Sequence, residues 1–201
     1  MLLGKNKLKK SFYLNKNTIK ISKQLLGKIL VTNLNNNLTS GIIVETEAYV
    51  GINDKASHAY NNRKTNRTLP MYMKGGICYI YLCYGIHYLF NVVTNIKEIP
   101  HAVLIRSIKP LEGVKIMCKR RKMKRPNYNL TNGPGKLSQA LGITKKLNGH
   151  SLYGDDIWIE DIKISFKDNN ILSSSRIGVD YAGTDAKLPY RFYIKNNKWV
   201  S

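Results

Sequence analysis

Two glutamates within a predicted strand are the first candidates for chemistry. Glu45 and Glu47 alternate with other residues in the run GIIVETEAYV, residues 41–50. On a strand they share one face with Tyr49, and burying unpaired charge is costly. One interpretation is a solvated sheet face with salt bridges to nearby lysines. The other is a carboxylate held in cationic surroundings, where it can activate a water molecule.

A cluster of tyrosines is the second candidate. Tyrosine favours strands, which predicts plain core packing for most of the cluster. In a very basic protein, aromatic rings can also stack nucleobases, at about 1–3 kcal/mol per base. Tyr84 suits that second role, because it precedes Gly85 at the tip of a predicted hairpin, where a side chain does not fill a core. The cluster consists of Tyr72, Tyr79, Tyr81, Tyr84 and Tyr88.

Three basic segments could contact phosphates, although none of them specifies a base sequence. Arg63, Lys64 and Arg67 lie in a predicted loop, and six of the seven residues at 119–125 are basic. A solvated helix face or a flexible loop explains the second run equally well. The GPGK motif at 133–136 offers backbone N–H groups and a lysine but lacks the P-loop spacing. On its own this motif predicts the start of a helix.

Histidines and cysteines are too scattered to suggest a metal centre. His58, His87 and His101 are isolated, and no pair has metal-ligand spacing. The three cysteines form an odd count, typical of reduced thiols in an intracellular protein. We therefore predict no metal and no cofactor. The longest apolar stretch, residues 77–93, holds four tyrosines, His87 and Asn91, so we predict no membrane span either.

The overall charge favours a polyanionic partner. The chain has 201 residues, of which 33 are basic and 12 acidic, and its formal net charge is +21. Such a charge repels itself unless a polyanion is near, so nucleic acid is the expected partner. A ribosomal or membrane-surface role is the competing interpretation, and an AT-rich genome can supply part of the lysine excess. We expect residues 1–17 to form a basic, mobile arm and residues 18–201 to form one domain.

Strands dominate the predicted elements and do not alternate regularly with helices. We expect a helix at 18–26, a hairpin from strands at 28–34 and 41–50, and a loop over 51–70. The other expected elements are strands at 78–82, 88–93, 103–108, 158–164, 176–179 and 190–194, and helices at 111–124 and 133–142. The pattern predicts an α+β fold: a single domain with a curved, barrel-like, mainly antiparallel sheet, flanking helices and a protruding hairpin.

Read together, these segments resemble the alkyladenine DNA glycosylase family, monofunctional enzymes that excise 3-methyladenine and related purines. Each motif is weak alone, but their order and spacing agree with the family from about Phe12 to Ser201. The matching segments are IVETEAY (43–49), ASH (56–58), Arg63 to Arg67, YIYLCYG (79–85), Asn91, VLIR (103–106), PLEG (110–113), GPGK (133–136), RFY (191–193) and WVS (199–201).

The resemblance implies roles for the residues nearest to the reaction. Glu47 would be the general base that activates water, and Arg106 would help to hold that water and the sugar-phosphate. Tyr49, His58 and Tyr81 would form a pocket that stacks around a flipped base.

The resemblance also implies contacts to DNA around that pocket. Tyr84 would intercalate and fill the hole left in the duplex. Asn91 would lie where the 2-amino group of guanine clashes, which discourages normal guanine. The remaining DNA contacts would come from Arg63, Thr65, Arg67, Met71 and Lys136.

The implied reaction is hydrolysis of the N-glycosidic bond, which leaves an abasic site. A lyase needs a lysine nucleophile, and no lysine matches a family nucleophile position. The implied partner is double-stranded DNA with damaged purines, bound by a monomer without an obligate protein partner or a membrane. The implied location is the cytoplasm, with the nucleoid, if the source is bacterial. The alternative is a non-catalytic, basic nucleic-acid-binding protein.

Overall fold

Eight strands form one sheet in the computed structural model, which describes residues 4–164 and 166–201. They are β1 (Ile29–Leu34), β2 (Asn37–Val50), β3 (Cys78–Cys83), β4 (His87–Thr94), β5 (His101–Pro110), β6 (Ile157–Glu160), β7 (Ile171–Ser174) and β8 (Arg191–Ile194). The main path runs β3-β4-β5-β2-β1-β6, and β8 pairs with β2 and β7. The pairings are antiparallel and the sheet curls into a half-barrel, which confirms the predicted fold class.

The long strand β2 occupies the middle of the sheet. Its first half pairs with β1 through a hairpin whose turn residues, Asn35 and Asn36, have φ of 52° and 59°. Asparagine tolerates this left-handed conformation better than most residues do. Further along, β2 pairs with β5, and Glu45 to Glu47 pair with β8 as well. The two glutamates therefore lie in the interior of the sheet rather than at its edge.

Helices cover the sheet and close the core. The α-helices of the described residues are α1 (Lys10–Tyr13), α2 (Thr18–Leu25), α3 (Val114–Arg120) and α4 (Pro134–Leu141). The Asn17 side chain caps α2 by accepting the N–H of Lys20 at 2.8 Å. As the GPGK motif predicts, α4 begins at Pro134, and Gly142, where φ is 74°, caps its C-terminal end.

Residues 7–13 pack against the domain, although we expected them in a mobile arm. Leu8 donates its backbone N–H to the Ile159 oxygen at 2.8 Å. Tyr13 is completely buried in the main core, and its backbone oxygen accepts the N–H of Asn95 at 2.8 Å. Apolar side chains between the lysines anchor this segment. The prediction of a mobile arm followed from the basic residues and did not take these apolar side chains into account.

Three of the predicted elements differ in the structure. The predicted strand at 176–179 is wrong, because Gly178 has φ of 73° and the N–H of Ile177 is directed to a side chain outside any strand pairing. Strand β6 ends at Glu160 instead of residue 164, and α3 is shorter than the predicted helix at 111–124. Within the described residues, none of the helices has the length and apolar character that crossing a bilayer requires.

Candidate active site

A cavity of about 660 Å³ lies where four parts of the fold meet. These parts are the hairpin of β3 and β4, strand β5, the start of α4, and residues 176–182, which follow β7. Nine of the twelve predicted site residues line this cavity: Tyr49, His58, Arg67, Met71, Tyr81, Tyr84, Asn91, Arg106 and Lys136.

Glu47 lies behind the cavity wall and is fully buried. Its Oε1 accepts the backbone N–H of Ile177 at 2.9 Å and lies 3.2 Å from Nη1 of Arg106. Its Oε2 accepts the hydroxyl of Tyr49 at 2.9 Å. Ile177, Arg106 and Tyr49 all line the cavity. The carboxylate therefore adjoins the cavity through its partners and has no exposed surface of its own.

Glu45 is fully buried too, and its charged partners are arginines. Its Oε1 accepts Nε of Arg106 at 3.0 Å and Nε of Arg191 at 2.6 Å. Its Oε2 accepts the Ser107 hydroxyl at 2.7 Å and the Ser201 N–H at 2.8 Å. Burial opposes ionisation, but Arg106 and the hydrogen bonds outweigh it and lower the pKa of the Glu45 carboxyl. The interpretation of a solvated face with lysine partners is therefore wrong.

An irregularity in the pairing of β2 with β5 directs Arg106 toward both glutamates. The register shifts on either side of Glu45, which pairs with Ser107, whereas Thr46 pairs with Ile105. A bulge of this kind changes the direction in which a side chain points. Burial opposes the charge on Arg106, but Glu47 and Glu45 raise the pKa of its guanidinium above the ordinary value. The arginine is therefore held as a cation between two carboxylates.

His58, Tyr79 and Tyr81 form an aromatic wall of the site. The ring centroids of His58 and Tyr81 are 4.5 Å apart, and those of Tyr79 and Tyr81 are 5.5 Å apart. Nδ1 of His58 lies 2.7 Å from the hydroxyl of Tyr79, which fixes the imidazole. Burial, followed by the charges of Arg67 and Arg63, lowers the pKa of His58 to about 4. The ring is therefore neutral at physiological pH.

Tyr84 projects from the tip of the β3–β4 hairpin and is 87% exposed. The turn places Tyr84 and Gly85 at φ of 50° and 71°, and the N–H of Ile86 donates to the Cys83 oxygen at 3.1 Å. A positive φ at both of these turn residues favours asparagine or glycine over a residue with a large side chain. The expectation that Tyr84 does not fill a core is confirmed, whereas Tyr72 and Tyr79 are buried as predicted.

Asn91 and Met71 belong to the cavity lining but are themselves almost fully buried. The side-chain amide of Asn91 donates to the backbone oxygen of Tyr79 at 3.2 Å, so its orientation is fixed by strand β3.

Cations lie at and beside the cavity rim. The guanidinium of Arg67 lies 4.9 Å from the centre of the Tyr81 ring, and Nζ of Lys136 donates to Asn132 at 2.9 Å. Arg63 and Thr65 are exposed and do not line the cavity. They belong to a loop that the Thr68 hydroxyl closes by donating to the Arg63 oxygen.

Residues 176–182 contain positions that sequence reasoning missed. Arg176 is buried and donates to both carboxylate oxygens of Asp54, at 2.5 and 2.8 Å, while its guanidinium lies 4.8 Å from the centre of the Tyr49 ring. Next to it, Ile177 binds Glu47, and Tyr181 lines the cavity. The partners Arg176 and Asp54 are 122 positions apart in the sequence, so no local pattern could have linked them.

The site defines a class of protein before any relative is considered. A buried carboxylate paired with arginine can do acid–base chemistry, and aromatic rings with cations around them suit a nucleic acid. Among the described residues, no three His, Cys, Asp or Glu side chains are grouped so that they could hold a metal ion. The arrangement is that of a nucleic-acid-binding hydrolase.

Comparison with known proteins gives the family. The family model described as methylpurine-DNA glycosylase (MPG) matches residues 11–198. A Chlamydia abortus protein named "Putative 3-methyladenine DNA glycosylase" is 54% identical over 192 residues, 94% of this chain and 100% of the relative. A protein of the same name from Clostridium perfringens is 45% identical over 203 residues, 97% and 98% of the two chains. This chain therefore belongs to the methylpurine-DNA glycosylase family, DNA-binding hydrolases of base excision repair.

Proposed function

We propose that this protein removes damaged purines, such as 3-methyladenine and related alkylated or deaminated bases, from double-stranded DNA. A base inside a duplex cannot be reached, so the nucleotide is extruded into the cavity before the N-glycosidic bond is hydrolysed. The observation that carries the proposal is the Glu47–Arg106 pair behind the aromatic cavity, at 3.2 Å. The names of the relatives give the substrate class.

Glu47 is the proposed general base. A carboxylate oxygen has two lone pairs, and among the described residues Oε2 accepts one hydrogen bond, from Tyr49. A water molecule can donate to the remaining lone pair of Oε2, which activates it for attack on the sugar. Arg106, charged and fixed by Glu45, holds Oε1 of the base in place. Access for the water requires a small displacement of the residues that cover Glu47.

One carboxylate suffices for a cationic base. Cleavage builds oxocarbenium character on the sugar, and glycoside hydrolases usually need a second carboxyl group to protonate the leaving group. A purine alkylated at N3 or N7 already carries positive charge and leaves without that help. The neutral His58 does not repel such a base, and the ring can stack on it together with Tyr49 and Tyr81.

The reaction proposed is simple hydrolysis, without a lyase step. A lyase needs a lysine amine as nucleophile. In the described part of the chain, Lys136 is the lysine that lines the cavity, and its Nζ is engaged by Asn129 and Asn132 at 3.1 and 2.9 Å. Hydrolysis by water then leaves an abasic site as the product.

The remaining proposed roles concern the DNA around the lesion. Tyr84 fills the space that the extruded base leaves, and Asn91 disfavours guanine through its 2-amino group. A monomer in the cytoplasm, with the nucleoid if the source is bacterial, needs no protein partner for this reaction. The proposed phosphate and groove contacts are Arg63, Thr65, Arg67, Met71 and Lys136.

The test is excision from duplexes that each carry one lesion, read as strand breaks after alkali treatment. We expect Glu47→Gln to bind lesion DNA normally but to excise about 10²- to 10⁴-fold more slowly, the usual contribution of a general base. Glu112→Gln, a change of an exposed carboxylate, is the matched control and keeps the wild-type rate. Normal turnover by Glu47→Gln would contradict the assignment of the base. DNA binding by the wild type without release of any damaged base would instead support the non-catalytic alternative.

A further inference from the structure

The most exposed large apolar side chains of the described residues gather around the cavity mouth. They are Tyr84, Ile86, Tyr181 and Ile177, with 87%, 71%, 70% and 48% of their surface exposed. Tyr84, Tyr181 and Ile177 line the cavity, and Ile86 lies two residues from Tyr84 in the same turn. Exposed apolar groups that adjoin a cavity mark a binding surface.

Two separate elements supply these side chains. Tyr84 and Ile86 come from the β3–β4 hairpin, whereas Ile177 and Tyr181 come from residues 176–182, which the sequence resemblance left without a role. An aromatic contact from this second element is therefore independent of the one already proposed for Tyr84.

The backbone around Tyr181 is firmly anchored. Arg176 is tied to Asp54 by two hydrogen bonds, and Val179 and Ala182 pack in one buried cluster with Ala56. The Tyr181 hydroxyl itself donates to the Ala56 oxygen at 3.2 Å. One end of the ring is thus fixed while most of its surface faces solvent, so little conformational entropy is lost when a partner stacks on it.

The charge around the mouth identifies the occupant. Arg67 and Lys136 line the same cavity, and the chain carries a net charge of +21. Rigid aromatic rings among cations suit nucleobases and a phosphate backbone. A protein partner with an acidic, apolar face is the other possible occupant, and the experiment below distinguishes it.

We propose that Tyr181 is a second aromatic DNA contact, which stacks on the nucleic acid beside the extruded nucleotide, with Ile177 packing next to it. Tyr84 approaches from the hairpin, and Tyr181 approaches from residues 176–182. The proposal rests on the proposed function, because it takes damaged DNA as the ligand. In this proposal the DNA that flanks the lesion is contacted by both the hairpin and residues 176–182, and not by the hairpin alone.

The experiment measures the Kd for a lesion duplex, and its salt dependence, for three substitutions of Tyr181. We expect Tyr181→Ala and Tyr181→Leu to bind about 5- to 100-fold more weakly, the usual loss per stacked base, and Tyr181→Phe to bind as the wild type does. The slope of log K against log salt stays unchanged, because no phosphate contact is lost. Tyr128→Ala is the control, since this ring is 46% exposed but does not line the cavity.

Two outcomes would overturn the proposal. Tyr181→Leu within twofold of the wild type would show that the ring makes no contact with DNA, and would leave a protein partner as the occupant. If Tyr181→Phe bound DNA as weakly as Tyr181→Leu, the hydrogen bond from the hydroxyl to Ala56, a positioning contact, would be what matters. Thermal melting of each variant confirms folding, and the Leu and Phe pair decides the question if Tyr181→Ala does not fold. Base release by the wild type in the same assay separates this result from a failure of the proposed function.

Discussion

Glu45 and Glu47 are two residues apart on one strand, and their hydrogen bonds leave them with different capacities to accept a water molecule. The oxygens of Glu45 accept five hydrogen bonds, from Arg106, Arg191, Ser107 and both the N–H and the hydroxyl of Ser201. No lone pair is left for a water molecule. Among the described residues, Oε2 of Glu47 accepts one hydrogen bond, from Tyr49, and keeps a second lone pair for a water molecule. Glu45 is therefore suited to fix Arg106, and Glu47 is suited to act as a base.

The neutral state of His58 can be tested by titration. Burial and the nearby arginines lower the pKa of His58 to about 4. Because the unfolded chain binds this proton near pH 6.5, the contribution of His58 to stability is full above that pH and is lost as the pH falls toward 4. We expect the imidazole resonance of His58 in NMR spectra to titrate near pH 4.

Substitution of the nearby cation supplies the matched comparison. Arg67→Gln should raise the pKa of His58, since one of the charges that lower it is removed. Lys64→Gln, at a cation that pairs with Glu98, should leave the pKa of His58 unchanged. A midpoint close to 6.5 in the wild type would contradict the described burial of the ring.

At the scale of elements, the tip of the β3–β4 hairpin carries a residue type that its backbone conformation disfavours. Tyr84 has a φ of 50°, which costs a residue with a large side chain about 1–2 kcal/mol, whereas asparagine adopts it readily. We expect Tyr84→Asn to leave the free energy of unfolding unchanged or to raise it, while excision of damaged bases falls. Urea denaturation and single-turnover excision measure the two effects.

The matched variant for the hairpin is Tyr84→Phe. It keeps both the ring and the strained backbone, so it should resemble the wild type in stability and in activity. Full activity of Tyr84→Asn would show that the conformation of the turn, and not the aromatic ring, serves the reaction.

Elements with strong local patterns could be predicted from the sequence. The helix α2 and the strands β1 to β5 follow apolar alternation and turn residues, so their bounds differ from expectation by a few residues. Residues 176–179 resemble a strand because the apolar Ile177 and Val179 are two positions apart, but the hydrogen bonds of this segment go to Glu47 and Asp54. Tertiary contacts determine the backbone conformation of these residues, and a local sequence pattern does not reveal such contacts.

The candidate site could be predicted in its members but not in its geometry. The resemblance singled out Glu47 and Arg106, which are 59 positions apart. That this one arginine contacts both glutamates follows only from the folded structure, in which the register of β2 and β5 shifts beside Glu45. Complete burial of Glu45 was not predicted either, because its compensating partners Arg191 and Ser201 lie at the far end of the sequence.

For the whole molecule, the net charge of +21 predicts opposite effects of salt on folding and on binding. Salt screens the repulsion among the cations, so the Tm should rise between about 0.05 and 0.3 M salt. The same salt should weaken DNA binding steeply, because each neutralised phosphate contributes about −0.9 to the slope of log K against log salt. Calorimetry and fluorescence anisotropy measure the two trends.

Single substitutions show which cations take part in that slope. Lys136→Ala, at the cavity rim, should reduce its magnitude by about 0.9, the value for one phosphate contact. Lys20→Ala, at an exposed lysine of α2 that does not line the cavity, should leave it unchanged. An equal change of the slope in both variants would mean that DNA is attracted by the overall charge of the protein and does not bind to a defined face.

The buried ring of Tyr13 has a practical consequence for shortened versions of this protein. A truncation designed from the charge pattern would remove residues 1–17 as a dispensable leader. It would also delete a side chain that is fully enclosed by the core, together with the partner of the Asn95 N–H. The resulting void and unsatisfied amide would make the trimmed protein prone to misfolding, even though the proposed DNA contacts would all remain in the sequence.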